Sequence, residues 1–295
     1  MISIARIDAY ERLIRLDKPI GTLLLLWPTL SALWLAANGR PQWHLVLIFV
    51  AGTLLMRSAG CAVNDWADRD FDAHVERTSR RPLATGEIKP FEALLLAAVL
   101  AFCAFLVVLP TNHTTIALSV PALLIAIGYP FCKRFFALPQ AFLGVAFSFG
   151  IPMAFAAVLD EVPPVAWLML VLNLFWVMAY DTEYAMVDRD DDLKLGLRTS
   201  AIAFARFDVA AVVISYAVYL AGMTAIGRER EMGPFYYVGI AIAAGCALWH
   251  WKLIRHRGRD GCFKAFLHNH WLGFALFAGI VLDYGLRVGA WPHLP

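Results

Sequence analysis

Two runs of aspartate interrupt an otherwise apolar chain, and both repeat at the spacing of a helix face. The first is Asn64-Asp65-Trp66-Ala67-Asp68-Arg69-Asp70-Phe71-Asp72; the second runs from Asp181 to Asp188-Arg189-Asp190-Asp191-Asp192. Residues four apart stack on one side of a helix, so Asn64, Asp68 and Asp72 form a stripe. Asp181, Asp188 and Asp192, seven and four apart, form a second one, while Asp65, Asp70, Asp190 and Asp191 fall off the stripes. Carboxylates at membrane depth cost about 2.5–3.5 kcal/mol each on insertion scales, so those retained beside spans usually face a functional cavity. Two parallel carboxylate stripes are what a pair of divalent cations needs to hold a phosphate-bearing substrate. Mg2+ suits them, because it takes oxygen ligands from a few carboxylates and from substrate phosphate and keeps several waters. Bound there, it would neutralise carboxylates that otherwise repel one another and withdraw electrons from a diphosphate leaving group. A third element, Tyr129-Pro130-Phe131-Cys132-Lys133-Arg134, ends a hydrophobic run on two adjacent cations. Lys offers phosphate a point charge, and Arg a planar fork suited to phosphate or carboxylate. Metal, cations and a membrane cavity together point to ionisation of a lipid diphosphate.

Plainer readings compete. An acidic stripe at a membrane surface is often a solvated loop, but two stripes at matching topological positions weigh against that. Lys133 and Arg134 taken singly read as charged anchors at a span end, as do Arg15 and Lys18. His268 and His270 are two apart, the wrong spacing for one helix face, and read as interfacial hydrogen-bonding groups. Phe147, Phe149 and Trp176 could offer aromatic faces to a carbocation, although core packing accounts for each singly.

The elements that position these residues follow from composition. The chain has 295 residues, 60% hydrophobic and 16% charged, with mean hydropathy +0.64. A soluble domain carries roughly 45–50% apolar and about 25% charged residues, so this is an integral membrane protein. No basic stripe with interleaved aromatics appears outside the spans, which excludes nucleic acid as a partner, and no obligate protein partner is evident. Runs of about 20 apolar residues predict nine spans near 20–37, 43–61, 91–109, 114–131, 138–159, 164–180, 207–226, 234–251 and 269–287. The second is weakened by His44 and Arg57, and the fourth by Pro121. With the N-terminus cytoplasmic, only Arg40, Arg228, Arg230 and Arg287 of the 25 Lys and Arg lie outside, which sets the orientation and puts the C-terminus on the far side. Both acidic segments then open long cytoplasmic loops, 62–90 and 181–206, each after an even-numbered span. The expectation is a single domain over 1–295: two related four-helix halves, a ninth helix, and a cap of two Asp-rich loops. Glu11, Arg12, Arg15, Asp17 and Lys18 exclude a cleavable leader ahead of the first span. The five cysteines lack C-x-x-C spacing and read as small reduced residues.

Asn64-Asp65-x-x-Asp68-x-x-x-Asp72 resembles the NDxxDxxxD motif of the UbiA superfamily of intramembrane prenyltransferases. Asp188-x-x-x-Asp192 is similar to its DxxxD motif and Tyr129-x-x-x-Lys133 to its YxxxK element. Stretches from Arg15 to Thr29, Met56 to Cys61, Arg80 to Leu83 and Tyr180 to Asp192 are similar to the bacterial 4-hydroxybenzoate polyprenyltransferase branch. The resemblance implies an all-α membrane protein of the bacterial inner membrane, with nine transmembrane helices around a central cavity under a cytoplasmic cap. It implies Mg2+-dependent transfer of a polyprenyl group from polyprenyl diphosphate to the ring carbon ortho to the hydroxyl of 4-hydroxybenzoate, in ubiquinone synthesis. Asn64, Asp68, Asp72, Asp188 and Asp192 would hold metal-bound diphosphate, with Tyr129 and Lys133 against that diphosphate. Arg134 is expected to take the acceptor carboxylate or a second face of the diphosphate. Alternatives are another acceptor on the same scaffold, haem or naphthoate, and a cation-coupled transporter whose carboxylates bind the transported ion.

Overall fold

A computed structural model describes residues 4–132, 136, 138–287 and 289. Its regular elements are all helical: α1 Ile4–Ile14, α2 Ile20–Ala36, α3 Trp43–Asp72, α4 Pro90–Val108, α5 His113–Cys132, α6 Pro139–Ser148, α7 Gly150–Leu159, α8 Pro164–Leu195, α9 Ser200–Ala203, α10 Asp208–Glu229, α11 Pro234–Ile254 and α12 Arg259–Arg287. Among the described residues, eight helical stretches are long and apolar enough to cross a membrane, α6 and α7 counting together as one, and α2 is a shorter apolar helix. The chain is a multi-pass membrane protein. Its outward faces agree: Leu47, Phe91, Leu124, Ile214 and Leu248 are all exposed, which suits lipid as the surrounding solvent.

Local chemistry sets the helix ends. Pro90 opens α4, with Glu92 Oε2 accepting from the backbone N–H of Lys89 at 2.8 Å. This satisfies one of the donors left orphaned at a helix start. The expected span 138–159 is broken at Phe149 into α6 and α7. Pro152 lacks the N–H that would have continued the ladder across that point. Gly196, at φ +68, closes α8, and the N–H of Leu197 returns to the Asp192 carbonyl at 3.0 Å. That left-handed seat favours glycine because no Cβ meets the preceding backbone.

The acidic segments differ from expectation. They are not loops: α3 runs unbroken to Asp72 and α8 to Leu195. At 1.5 Å per residue each is about 45–48 Å long, against a hydrocarbon core of about 30 Å. Both helices therefore carry their aspartates beyond the apolar layer on rigid rods. Connecting segments 73–89 and 196–207, the latter holding α9 and a 3₁₀ turn, follow them.

The core lies where α8 packs on α6, α10 and α12, and α12 packs on α2 and α11. Trp176, Tyr180 and Tyr236 are its largest fully buried side chains. α11 and α12 pack closely at Gly239, where a Cβ would stand 2.6 Å from the Ala275 carbonyl oxygen. On the α3–α5 side the helices border a cavity.

Candidate active site

The stripes on α3 and α8 face one another across a single cavity of about 1350 Å³. Asn64, Asp68, Asp72, Asp181, Asp188 and Asp192 all line it, as does Tyr129 near the end of α5. Lys133 and Arg134 lie outside the described residues. Asp72, Asp188 and Asp192 are buried, and Asn64 Nδ2 donates to Asp68 Oδ2 at 3.2 Å. Off the α8 stripe, Asp190 and Asp191 turn away, each against Arg259, at 3.8 and 3.4 Å.

Arginines from the segments that flank α1 and α3 complete this end of the cavity. Arg77, from segment 73–89, donates to Asp188 through Nε at 3.0 Å and Nη2 at 2.5 Å. It also lies 4.2 Å from the centre of the Tyr184 ring and donates to the Tyr184 hydroxyl. Burial opposes the Arg77 cation, but Tyr184 and Asp188 outweigh it and its pKa stands raised. Arg81 reaches Asp72 at 2.8 Å and Asp65 at 3.0 Å, and Arg15 reaches Asp65 at 2.5 Å. All three arginines line the cavity.

A fourth, Arg57, sits deeper. It lies seven residues before Asn64 on the same face of α3, about 10 Å further along the axis. Its guanidinium packs over Gly21, where a Cβ would come within 2.4 Å of Nη2. Arg57 Nε is buried without a hydrogen-bond partner, and no ion pair involves this residue among those described.

Several of these residues escaped the reading of the sequence. Arg15 looked like a surface anchor, yet it turns inward onto Asp65. Arg57 looked like a flaw in a span, yet its spacing of seven from Asn64 extends the stripe and could have marked it. Asp65 was set aside as off-stripe but is almost completely buried, at 1% exposure. Trp176 went the other way: it is fully buried, donates to Asn269 Oδ1 at 3.0 Å and does not line the cavity, whereas Phe147 and Phe149 do.

The donor set can be judged against a divalent cation. Among the described residues, no three His, Cys, Asp or Glu side chains form a ready-made metal cage. The side chains of the two stripes that face the cavity, Asn64, Asp68, Asp72, Asp181, Asp188 and Asp192, all offer oxygen, and Asp72 and Asp188 each hold a cation already. Burial pushes the Asp72 carboxyl above the usual carboxylate range; Arg81 opposes, and Asp65 and Asp68 add to the push. Such a set fits Mg2+, which takes few protein ligands and completes its shell with phosphate and water. Away from the charged end the cavity is apolar. Phe102, Phe105 and Leu124 of α4 and α5 line it and are exposed.

Fold and site together define an all-helical membrane protein whose cavity joins a carboxylate- and arginine-lined end to an apolar remainder. The chain belongs to the UbiA prenyltransferase family, which it matches over residues 25–274. It is 63% identical over 279 residues to a protein of Azoarcus sp. (strain BH72) named 4-hydroxybenzoate octaprenyltransferase, covering 95% of this chain and 97% of that one. A UbiA homolog from Aeropyrum pernix K1, solved without ligand, superposes with a TM-score of 0.78 at 27% identity, covering 89% of this chain and 97% of that one. A UbiA homolog from Archaeoglobus fulgidus, solved bound to GPP and Mg2+, shares the fold with a TM-score of 0.66 at 18% identity, covering 91% and 99%.

Proposed function

We propose that this protein transfers an octaprenyl group from its diphosphate to the ring carbon ortho to the hydroxyl of 4-hydroxybenzoate, a membrane step of ubiquinone synthesis. The observation that carries the reading is the division of one cavity into a charged end, with carboxylates and arginines interleaved, and an apolar remainder lined by exposed residues of α4 and α5, which we read as its sideways opening to lipid. The relatives' name supplies the acceptor and the tail.

Asn64, Asp68, Asp72, Asp188 and Asp192 would hold Mg2+, which supplies charge neutralisation and electron withdrawal at the diphosphate. Arg77, Arg81 and Arg15 turn their remaining N–H groups to the phosphate oxygens, with Tyr129, Lys133 and Arg134 completing that shell. The allylic C–O bond breaks, the prenyl carbon becomes cationic, and the apolar wall keeps water from it. The ring faces of Phe147 and Phe149 stabilise the cation; a desolvated contact of this kind is worth about 2 kcal/mol. A ring carbon of the acceptor then bonds to the prenyl carbon, and the ring proton passes to the released diphosphate, which restores the aromatic ring.

Arg57 answers which cation receives the acceptor's carboxylate. A guanidinium in an apolar cavity without an anion is costly, and a benzoate carboxylate provides that anion. The spacing along α3 leaves the ring between Arg57 and the diphosphate. The sideways opening admits the tail, which at about 0.8 kcal/mol per buried CH₂ remains in the bilayer.

The site faces the cytoplasm in this reading, with α2 as a ninth crossing in a bacterial inner membrane. Reporters at Thr85 and Pro295 should then lie on opposite sides; finding both on one side overturns the nine-crossing topology. Labelled 4-hydroxybenzoate, octaprenyl diphosphate and Mg2+ incubated with the purified protein should yield a prenylated acid. Absence of product with this acceptor, and its formation with a naphthoate, would overturn the assignment.

A further inference from the structure

Asp65 touches neither stripe, yet it is the most deeply buried carboxylate lining the cavity. Its Oδ1 accepts from Arg15 at 2.5 Å and pairs with the Arg81 guanidinium at 3.0 Å, while Oδ2 is buried with no hydrogen-bond partner among the described residues. A carboxylate enclosed to that degree is held by its cations, and it holds them in return.

Arg15 shows how strongly. It occupies the residue after the end of α1, at φ +55, with its N–H returning to the Arg12 carbonyl and that of Leu16 to Glu11. α8 ends in the same motif with Gly196 in that seat, at φ +68. An arginine in a seat that favours glycine is strained, and the pair with Asp65 is the long-range contact that fastens it there. Arg81 is placed differently. It bridges Asp65 and Asp72 at once, so it has one partner off the stripe and one on it.

We propose that Asp65 is a positioning residue for the diphosphate subsite, a permanent counter-anion that keeps Arg15 and Arg81 at the cavity wall while Arg81 exchanges Asp72 for phosphate. This rests on the function proposed above. When a divalent cation engages Asp72, that carboxylate no longer needs Arg81. Asp65 retains the guanidinium, whose fork then turns to the incoming anion without leaving the site. Asp65 acts on the diphosphate through two arginines and leaves metal binding to the stripes.

The test separates those two quantities. Wild type, Asp65→Asn and Asp68→Asn are titrated in lipid nanodiscs with an unreactive prenyl thiodiphosphate, and then with Mg2+ at saturating analogue. Asp65→Asn should weaken the analogue by about ten- to a hundredfold and leave the Mg2+ half-saturation within about twofold; Asp68→Asn should shift chiefly the Mg2+ half-saturation. Arg81→Gln should add little in the Asp65→Asn background, since residues acting through one contact are not additive. A general structural defect would not divide the two ligands in this way. Should Asp65→Asn fail to insert, Asp65→Glu, which keeps the anion and moves it by one methylene, should give a smaller loss with the same indifference to Mg2+. A Mg2+ shift in Asp65→Asn equal to that of Asp68→Asn would make Asp65 a metal ligand, and unchanged analogue affinity would remove its role; either overturns the proposal. Failure of the wild type to bind the analogue would instead overturn the proposed function.

Discussion

Glu183 and Asp188 lie five residues apart on α8, and both are buried, yet they are satisfied in opposite ways. Glu183 meets only neutral side chains. The Tyr216 hydroxyl lies 3.0 Å from its Oε1, and Asn269 Nδ2 donates to its Oε2 at 2.8 Å. The network continues from Tyr216 to His250 at 3.0 Å, and from His250 to His268 at 3.0 Å. None of these residues lines the cavity. Asp188 instead faces the cavity and is held by one arginine from a connecting segment. A closed network among packed helices has nothing to exchange; it joins α8, α10, α11 and α12. A carboxylate neutralised by an arginine at a cavity wall can trade that partner for a metal, and the arginine can trade it for phosphate. Burial alone therefore does not mark a functional carboxylate. The identity and location of its partner do.

That contrast can be broken by mutation. The largest effect should come from Asp188→Ala or Asp68→Ala, which remove charge from the diphosphate end and should lower turnover by about a hundredfold or more, with the protein still inserted and folded. Chelation should abolish turnover and Mg2+ restore it. Robust activity in excess chelator would place Asp188 with Glu183 as a structural group. Next, Arg57→Ala should raise KM for 4-hydroxybenzoate by about ten- to a hundredfold, the worth of a charge-assisted contact, and leave KM for the prenyl donor near wild type. Arg134→Ala should do the reverse. Equal losses against both substrates would merge the two subsites.

Glu183→Ala tests the other region. Orphaned partners in the network should cost about 1–3 kcal/mol of stability, read as a lower Tm, while KM for both substrates in the surviving protein stays put. A specific rise in one KM would bring Glu183 into the site. The smallest effect belongs to the surface. Glu87 is held below the usual carboxylate range by the hydrogen bond from Arg12 and by Thr85. Its pair with Arg12 thus contributes above that range and fades as pH falls through the lowered pKa. Partial exposure and salt screening hold Glu87→Gln to about 0.2–1 kcal/mol, and stability curves of the two proteins should converge in acid.

Much of this contrast was visible before folding, and some was not. The spacing of Asn64, Asp68 and Asp72 predicts one face, and they share a cavity with Asp188 and Asp192. Nothing in the spacing of Asp65 marks it, because its importance comes from Arg15 and Arg81, which reach it from α1 and from segment 73–89. Lys18 stays exposed at the rim of the cavity beside Asp17, where Arg15 turns inward; two basic residues three apart look alike until α1 packs against α3. Trp176 resembled a cavity aromatic because α8 is apolar on several sides, and only the packing of α10 and α12 shows which side is core.

The sequence by itself determined the class: a membrane bundle of apolar helices, two of them carrying carboxylates at a period of four. Those properties are local, since hydropathy decides the solvent and helix geometry decides which residues share a face. Only the tertiary structure decided that the acidic runs continue as helices rather than opening loops, and which arginine answers which carboxylate. It also decided that Arg57 stands in the cavity with no carboxylate partner among the described residues. Each of these depends on segments far apart in the chain meeting in a low-dielectric space, where a charge is stable only beside its partner.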